Sequence, residues 1–117
     1  MSTTLVMAVD DEPGMLKLTE LALTSAGYAV LMFDHARDAL SEIEGGLRPD
    51  VIVSDITMPG ISGIEATKAI HEALPDVRVV GLSMDSDDDA AERMRDAGAE
   101  NLLPKECPVE TLLQAIV

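Results

Sequence analysis

Val51-Ile52-Val53-Ser54-Asp55 places three β-branched apolar residues and a serine directly before an acid. Apolar residues at consecutive rather than alternate positions predict a strand covered on both faces, as in a parallel sheet between two helical layers. The stretch Val77-Arg78-Val79-Val80-Gly81-Leu82-Ser83 has the same character. Three more short apolar runs, at 5–9, 28–33 and 101–103, complete a set of five strands. With 51–54 and 77–83 as the third and fourth, the order predicts an α/β chain.

The intervening segments carry helical period. Pro13 opens the first where its missing N–H costs nothing, and Gly27 closes it. Met15, Leu18 and Ala22 supply its expected buried stripe. Ala36, Ala39, Leu40 and Ile43 form the second helix face, ended by Gly45 and Gly46. Ile64, Ile70 and Leu74 mark the third, stopped at Pro75. Ala90, Met94 and Ala97 mark the fourth, stopped at Gly98. Val109, Leu112, Leu113 and Ile116 follow Pro108 at the i, i+3, i+4, i+7 spacing. Five βα units with short connections, no repeat and no linker predict one doubly wound domain over 1–117.

Charge narrows the partners. Eight Lys plus Arg against twenty-two Asp plus Glu in 117 residues give a net charge of −14. Such a surface is repelled by nucleic-acid phosphates and anionic lipids. The only aromatic residues, Tyr28 and Phe33, leave little on which unpaired bases could stack. No direct nucleic-acid or membrane partner is expected. The single cysteine, Cys107, excludes an intramolecular disulfide. The short polar start and the absence of an apolar run of about 18 residues point to the cytoplasm.

In an open parallel sheet, ligands bind beyond the carboxyl ends of the strands. Asp10, Asp11 and Glu12 follow the first strand, Asp55 the third, Ser83 the fourth and Lys105 the fifth. Asp34 and His35 follow the second, which lies at the edge if the strand order is 2-1-3-4-5. Carboxylates gathered in one pocket raise each other's pKa, and a cation relieves the conflict. Oxygen ligands with room for water suit Mg²⁺. Three ionised aspartates, one ammonium and one Mg²⁺ sum to zero, leaving a pocket able to accept a phosphoryl group.

The acidic pair in Val9-Asp10-Asp11-Glu12-Pro13, the segment from Ser54 through Asp55-Ile56-Thr57-Met58-Pro59-Gly60 to Gly63, Ser83 in Gly81-Leu82-Ser83, and Lys105 in Leu103-Pro104-Lys105 occur in order at strand ends. With these residues the chain resembles the response-regulator receiver domains of bacterial two-component signalling over essentially its whole length. The resemblance implies a flavodoxin-like fold: a five-stranded parallel sheet of order 2-1-3-4-5 flanked by five helices. It implies a phosphoacceptor switch rather than an enzyme acting on a separate substrate. Asp55 would take a phosphoryl group from a histidine kinase or histidine phosphotransfer protein. Asp10, Asp11, Asp55 and the carbonyl of Thr57 would hold Mg²⁺, Asp10 largely through water. Lys105 and Ser83 would contact the phosphoryl oxygens. An output domain or effector protein, and a phosphorylation-dependent homodimer, belong to the same expectation.

Two positions depart from the family pattern. Leu102 stands where many receivers carry an aromatic residue, so an aromatic flip is unavailable for signalling. Glu106 replaces the frequent proline after the lysine, which leaves the geometry of the Lys105–Glu106 bond open. Other readings stand beside these. Taken alone, Asp10 and Asp11 read as helix caps, Lys105 as a solvated lysine and Ser83 as a turn residue. The acidic run from Asp85 to Asp89 reads as the first turn of the fourth helix, since a calcium loop requires glycine where Ala90 stands. His35, His71, Met58, Met84 and Cys107 are expected to be structural or exposed. The alternative function is a phosphorylation-independent interaction module with the same fold. A Mg²⁺-dependent phosphohydrolase is disfavoured because Thr57, not an acid, lies two residues after Asp55.

Overall fold

In the computed structural model, which describes residues 4–55, 63–83, 88–105 and 107–116, strands and helices alternate from end to end. The strands are β1 (Leu5–Val9), β2 (Ala29–Phe33), β3 (Val51–Asp55), β4 (Arg78–Ser83) and β5 (Asn101–Pro104). The helices are α1 (Pro13–Ser25), α2 (Ala36–Glu44), α3 (Gly63–Ala73), α4 (Asp88–Ala97) and α5 (Val109–Ile116). All strand pairs are parallel and the sheet order is β2-β1-β3-β4-β5, the flavodoxin-like arrangement expected.

The uninterrupted apolar runs are the central strands, as their composition requires. Every residue of β3 is buried, and only the first residue of β4 is not. Side chains alternate between two cores. Met7, Val9, Ile52 and Val79 meet α2, α3 and α4 through Ala39, Ile43, Ala66, Ile70 and Met94 on one face. Val6, Val51, Val53, Val80 and Leu82 meet α1 and α5 through Leu23, Leu112 and Ile116 on the other. Each such aliphatic side chain contributes about 1.5–3 kcal/mol on full burial, so the two layers clamp the middle strands strongly.

Glycines end the helices where expected. Gly27 follows α1 with φ of 94° and Gly98 follows α4 with φ of 115°, conformations that a Cβ disfavours. At Gly98 the space is also taken, since a Cβ would lie 2.5 Å from the His71 ring at the end of α3.

The expected stripe of α1 is corrected. Leu18 is 62% exposed, while Thr19 and Leu23, one turn apart, face the sheet with Met15 and Ala22 half-buried beside them. Apolar residues also stand at Leu16, Leu21 and Leu23, so the helix has two apolar flanks, and spacing alone selected the one turned toward α5. Val109 likewise begins α5 exposed, with Leu112 and Ile116 carrying the burial. Among the described residues, no helix is long and apolar enough to cross a membrane.

Candidate functional site

Strand register brings the acids together. Val9 pairs with Ser54, so Asp10 and Asp55 emerge side by side from β1 and β3. Asp55 pairs with Leu82 and Ser83 with Pro104, which carries Ser83 and then Lys105 to the same edge. Main-chain bonds hold the strand ends in place. The Asp10 N–H donates to the Phe33 carbonyl (3.1 Å) and the Lys105 N–H to the Ser83 carbonyl (2.8 Å).

The side chains then converge. The Lys105 ammonium lies 2.9 Å from Asp55 Oδ2, and 3.2 Å and 3.1 Å from Asp10 Oδ1 and Oδ2. All three side chains are at least nine-tenths buried: Lys105 is 5% exposed, Asp10 6% and Asp55 3%. Burial alone would pull the Lys105 pKa down. Its hydrogen bonds to Asp55 and Asp10, reinforced by their charges, outweigh that and hold it above the ordinary lysine value. Asp11 is exposed at the rim, and carboxylate oxygens of Asp10, Asp11 and Asp55 lie within 4.8 Å of one another.

Among the described residues, one ammonium, bonded to Asp10 and Asp55, stands with three clustered carboxylates, so formal negative charge exceeds positive in a mostly buried pocket. A divalent cation with oxygen preference fits that donor set, and exposed Asp11 leaves it a way in. Asp10 also shapes its loop, its Oδ1 accepting the Glu12 N–H at 3.0 Å. The helix-cap reading is therefore met only in part: Asp10 braces the turn into α1 while pairing with Lys105, and the α1 cap residue, Glu12, makes no side-chain cap bond.

Ser83 is 4% exposed at the end of β4. Thr57, Met58, Met84, Asp85 and the Lys105–Glu106 bond lie outside the described residues. Asp34 and His35 are exposed at the edge strand, apart from the cluster. Burial pushes the Cys107 thiol pKa up, which favours its unreactive form.

Arg78 is not singled out by the sequence, yet it ties β4 to the end of α5 and to Glu100, which directly precedes β5. Its Nη1 donates to the Ile116 carbonyl (2.6 Å) and its Nη2 to the Ala115 carbonyl (2.9 Å) in the last turn of α5. Nε and Nη2 also donate to the two Glu100 carboxylate oxygens, both at 2.9 Å. The only sequence signal was a charge inside an otherwise apolar strand.

Comparison with known proteins agrees with this arrangement. The chain is 39% identical over 113 residues to response regulator GacA of Pseudomonas aeruginosa, covering 95% of this chain and 52% of that protein. It is 35% identical over 111 residues to the DNA-binding transcriptional regulator NtrC of Proteus hauseri, covering 95% of this chain and 23% of that one. The chain thus spans about half the length of GacA and about a quarter of NtrC. Among solved structures it matches chemotaxis protein CheY4 of Vibrio cholerae with a TM-score of 0.91 and 29% identity, over 98% of this chain and 97% of that one. Residues 6–117 match the family described as the response regulator receiver domain. With that match over nearly its whole length and the strand order of the fold, the chain belongs to the response regulator receiver domain family.

Proposed function

We propose that residues 1–117 act as one phosphoacceptor unit in which Asp55 receives a phosphoryl group from a phosphohistidine on a histidine kinase or phosphotransfer protein. The observation that carries this reading is the buried contact of one ammonium, on Lys105, with both Asp55 and Asp10. A structural ion pair needs one acid; a second buried acid and a third at the rim leave negative charge for a metal to balance.

A carboxylate oxygen of Asp55 attacks phosphorus as the P–N bond to the donor imidazole breaks, giving an acyl phosphate and a neutral histidine after proton uptake. Asp55 is a weak nucleophile, so the rate depends on alignment and charge neutralisation. The short β3 backbone, buried throughout, holds Asp55 rigidly. Lys105 orients Asp55 beforehand and meets the phosphoryl oxygens afterwards. Ser83, at the end of the neighbouring strand, supplies a hydroxyl to those oxygens. Asp10, Asp11, Asp55 and the Thr57 carbonyl would hold Mg²⁺, which supplies Lewis-acid charge neutralisation. Modification adds about two negative charges at a packed strand end, enough to bias the adjoining α4–β5 surface between two states. We assign the protein to the cytoplasm, where kinases of this chemistry and Mg²⁺ would meet it, and to an output domain or effector partner.

The test is intact mass after incubation with Mg²⁺ and a small acyl-phosphate donor. A gain of one phosphoryl group that does not form when chelator is present from the start supports the proposal, and no gain overturns it. In that case the phosphorylation-independent docking module is the better reading.

A further inference from the structure

We infer that the open edge of β2 is a self-pairing surface, where a second copy of this chain adds antiparallel and continues the sheet across a two-fold axis at Leu31. The inference is independent of phosphorylation.

Edge strands are usually blunted by a charge, a proline or a bulge, because their outward N–H and C=O groups otherwise template pairing. β2 reads Ala-Val-Leu-Met-Phe, with neither charge nor proline, and leaves Leu31 39% and Met32 38% exposed. It pairs with β1 residue by residue without interruption from Leu5–Ala29 to Val9–Phe33, so no bulge turns it away.

The hydrogen bonds fix which groups are free for a partner. The Ala29 N–H donates to the Thr4 carbonyl and the Phe33 carbonyl accepts from the Asp10 N–H, both across the β1 side. In a parallel ladder a residue directs both main-chain groups to the same neighbour, and the direction alternates along the strand. Ala29, Leu31 and Phe33 therefore face β1, and Val30 and Met32 direct their N–H and C=O outward.

This pattern complements itself. An antiparallel copy centred on Leu31 sets Val30 opposite Met32 of the second copy, and Met32 opposite its Val30. Each is a hydrogen-bonded pair, and together they satisfy all four outward groups. Leu31 meets its own counterpart at the closer, non-hydrogen-bonded spacing, and Ala29 meets Phe33. Beyond the strand, Tyr28 falls opposite Asp34, a phenol against a carboxylate, so no like charges face each other. A two-fold contact of this kind closes at two copies. The −14 charge on each chain opposes the approach, so association strengthens as salt screens it.

The test is sedimentation velocity over a concentration series up to roughly millimolar, in low and high salt. Wild type should shift from monomer to dimer, more so at high salt, and Asp55→Asn should behave identically, which separates this surface from the phosphoacceptor reading. Leu31→Lys and Leu31→Glu alone should each weaken association at least about fivefold by setting like charges face to face. An equimolar mixture of the two should restore it, which shows both variants to be folded. Met32→Pro removes an outward donor and no bond to β1, and should abolish pairing while far-UV circular dichroism is unchanged. A wild type that stays monomeric throughout overturns the inference. So does a dimer that survives Met32→Pro and both Leu31 variants, since the contact would then lie elsewhere, such as the exposed Leu18 and Leu21 flank of α1.

Discussion

The Lys105 ammonium stands 2.9 Å from Asp55 Oδ2, with both side chains at least 95% buried. Fifty residues separate the partners in sequence, yet each is the residue that closes its strand or follows it directly. The contact joins the fold to its chemistry, because the bond that stabilises the strand ends is also the one that orders the proposed nucleophile.

Lys105→Met should therefore weaken both. Removing one partner of a buried pair leaves uncompensated charge, at a cost of about 3–5 kcal/mol in the metal-free protein, read by urea unfolding. Because the folded-state pKa of Lys105 is raised, its contribution is fully present below about pH 10.4, the unfolded value, and is lost as pH rises through the higher folded value. An alkaline unfolding series should show that decline in wild type and not in Lys105→Met.

Mg²⁺ should stabilise the fold through the same cluster. At a hundred times its dissociation constant, a ligand selective for the native state adds about 2.7 kcal/mol. Thermal denaturation with and without Mg²⁺ should show this gain in wild type and a much smaller one in Asp11→Asn. Asp11 is exposed and outside the Lys105 pair, so that variant should keep wild-type stability when chelator is present.

Arg78 should matter for stability and not for phosphorylation. Arg78→Met removes two bonds to the end of α5 and both bonds to Glu100, and hydrogen bonds to charged groups contribute about 1.5–3 kcal/mol. Glu100→Gln removes only the more exposed ion pair and should cost about 0.2–1 kcal/mol. The hydrogen bond from Arg78, aided by its charge and opposed by burial, holds the Glu100 pKa below the usual carboxylate value. The pair's contribution is thus complete above about pH 4.3 and fades as pH falls through the lower folded value. An acid series on wild type and Glu100→Gln reads the difference.

Gly98→Ala should destabilise by about 1–3 kcal/mol, since its Cβ would enter the His71 ring and its φ is positive. His71→Ala in the same chain should recover the steric part and leave the backbone strain. A double-mutant cycle by urea unfolding measures that coupling.

Much of this arrangement is legible in the sequence. Uninterrupted apolar residues marked β3 and β4 as central, and strand order then carried Asp10, Asp55, Ser83 and Lys105 to one edge. The exposed side of α1 was not legible, because Leu16, Leu18, Leu21 and Leu23 give the helix two apolar flanks and spacing cannot say which one a sheet covers. Arg78 was hidden for another reason. Its partners lie 22 to 38 residues away and two of them are backbone carbonyls, which have no sequence signature. The self-complementarity of β2 required knowing which of its residues bond to β1, a matter of register rather than composition.

The most direct test of the central claim asks which atom carries the phosphoryl group. After treatment with Mg²⁺ and an acyl-phosphate donor, borohydride reduction converts an aspartyl phosphate to homoserine, and peptide mapping by mass spectrometry locates it. The account predicts homoserine at position 55 and none in the Asp55→Asn variant. Reduction at Asp10 or Asp11, or at no position in a protein that remains folded and binds Mg²⁺, would contradict it.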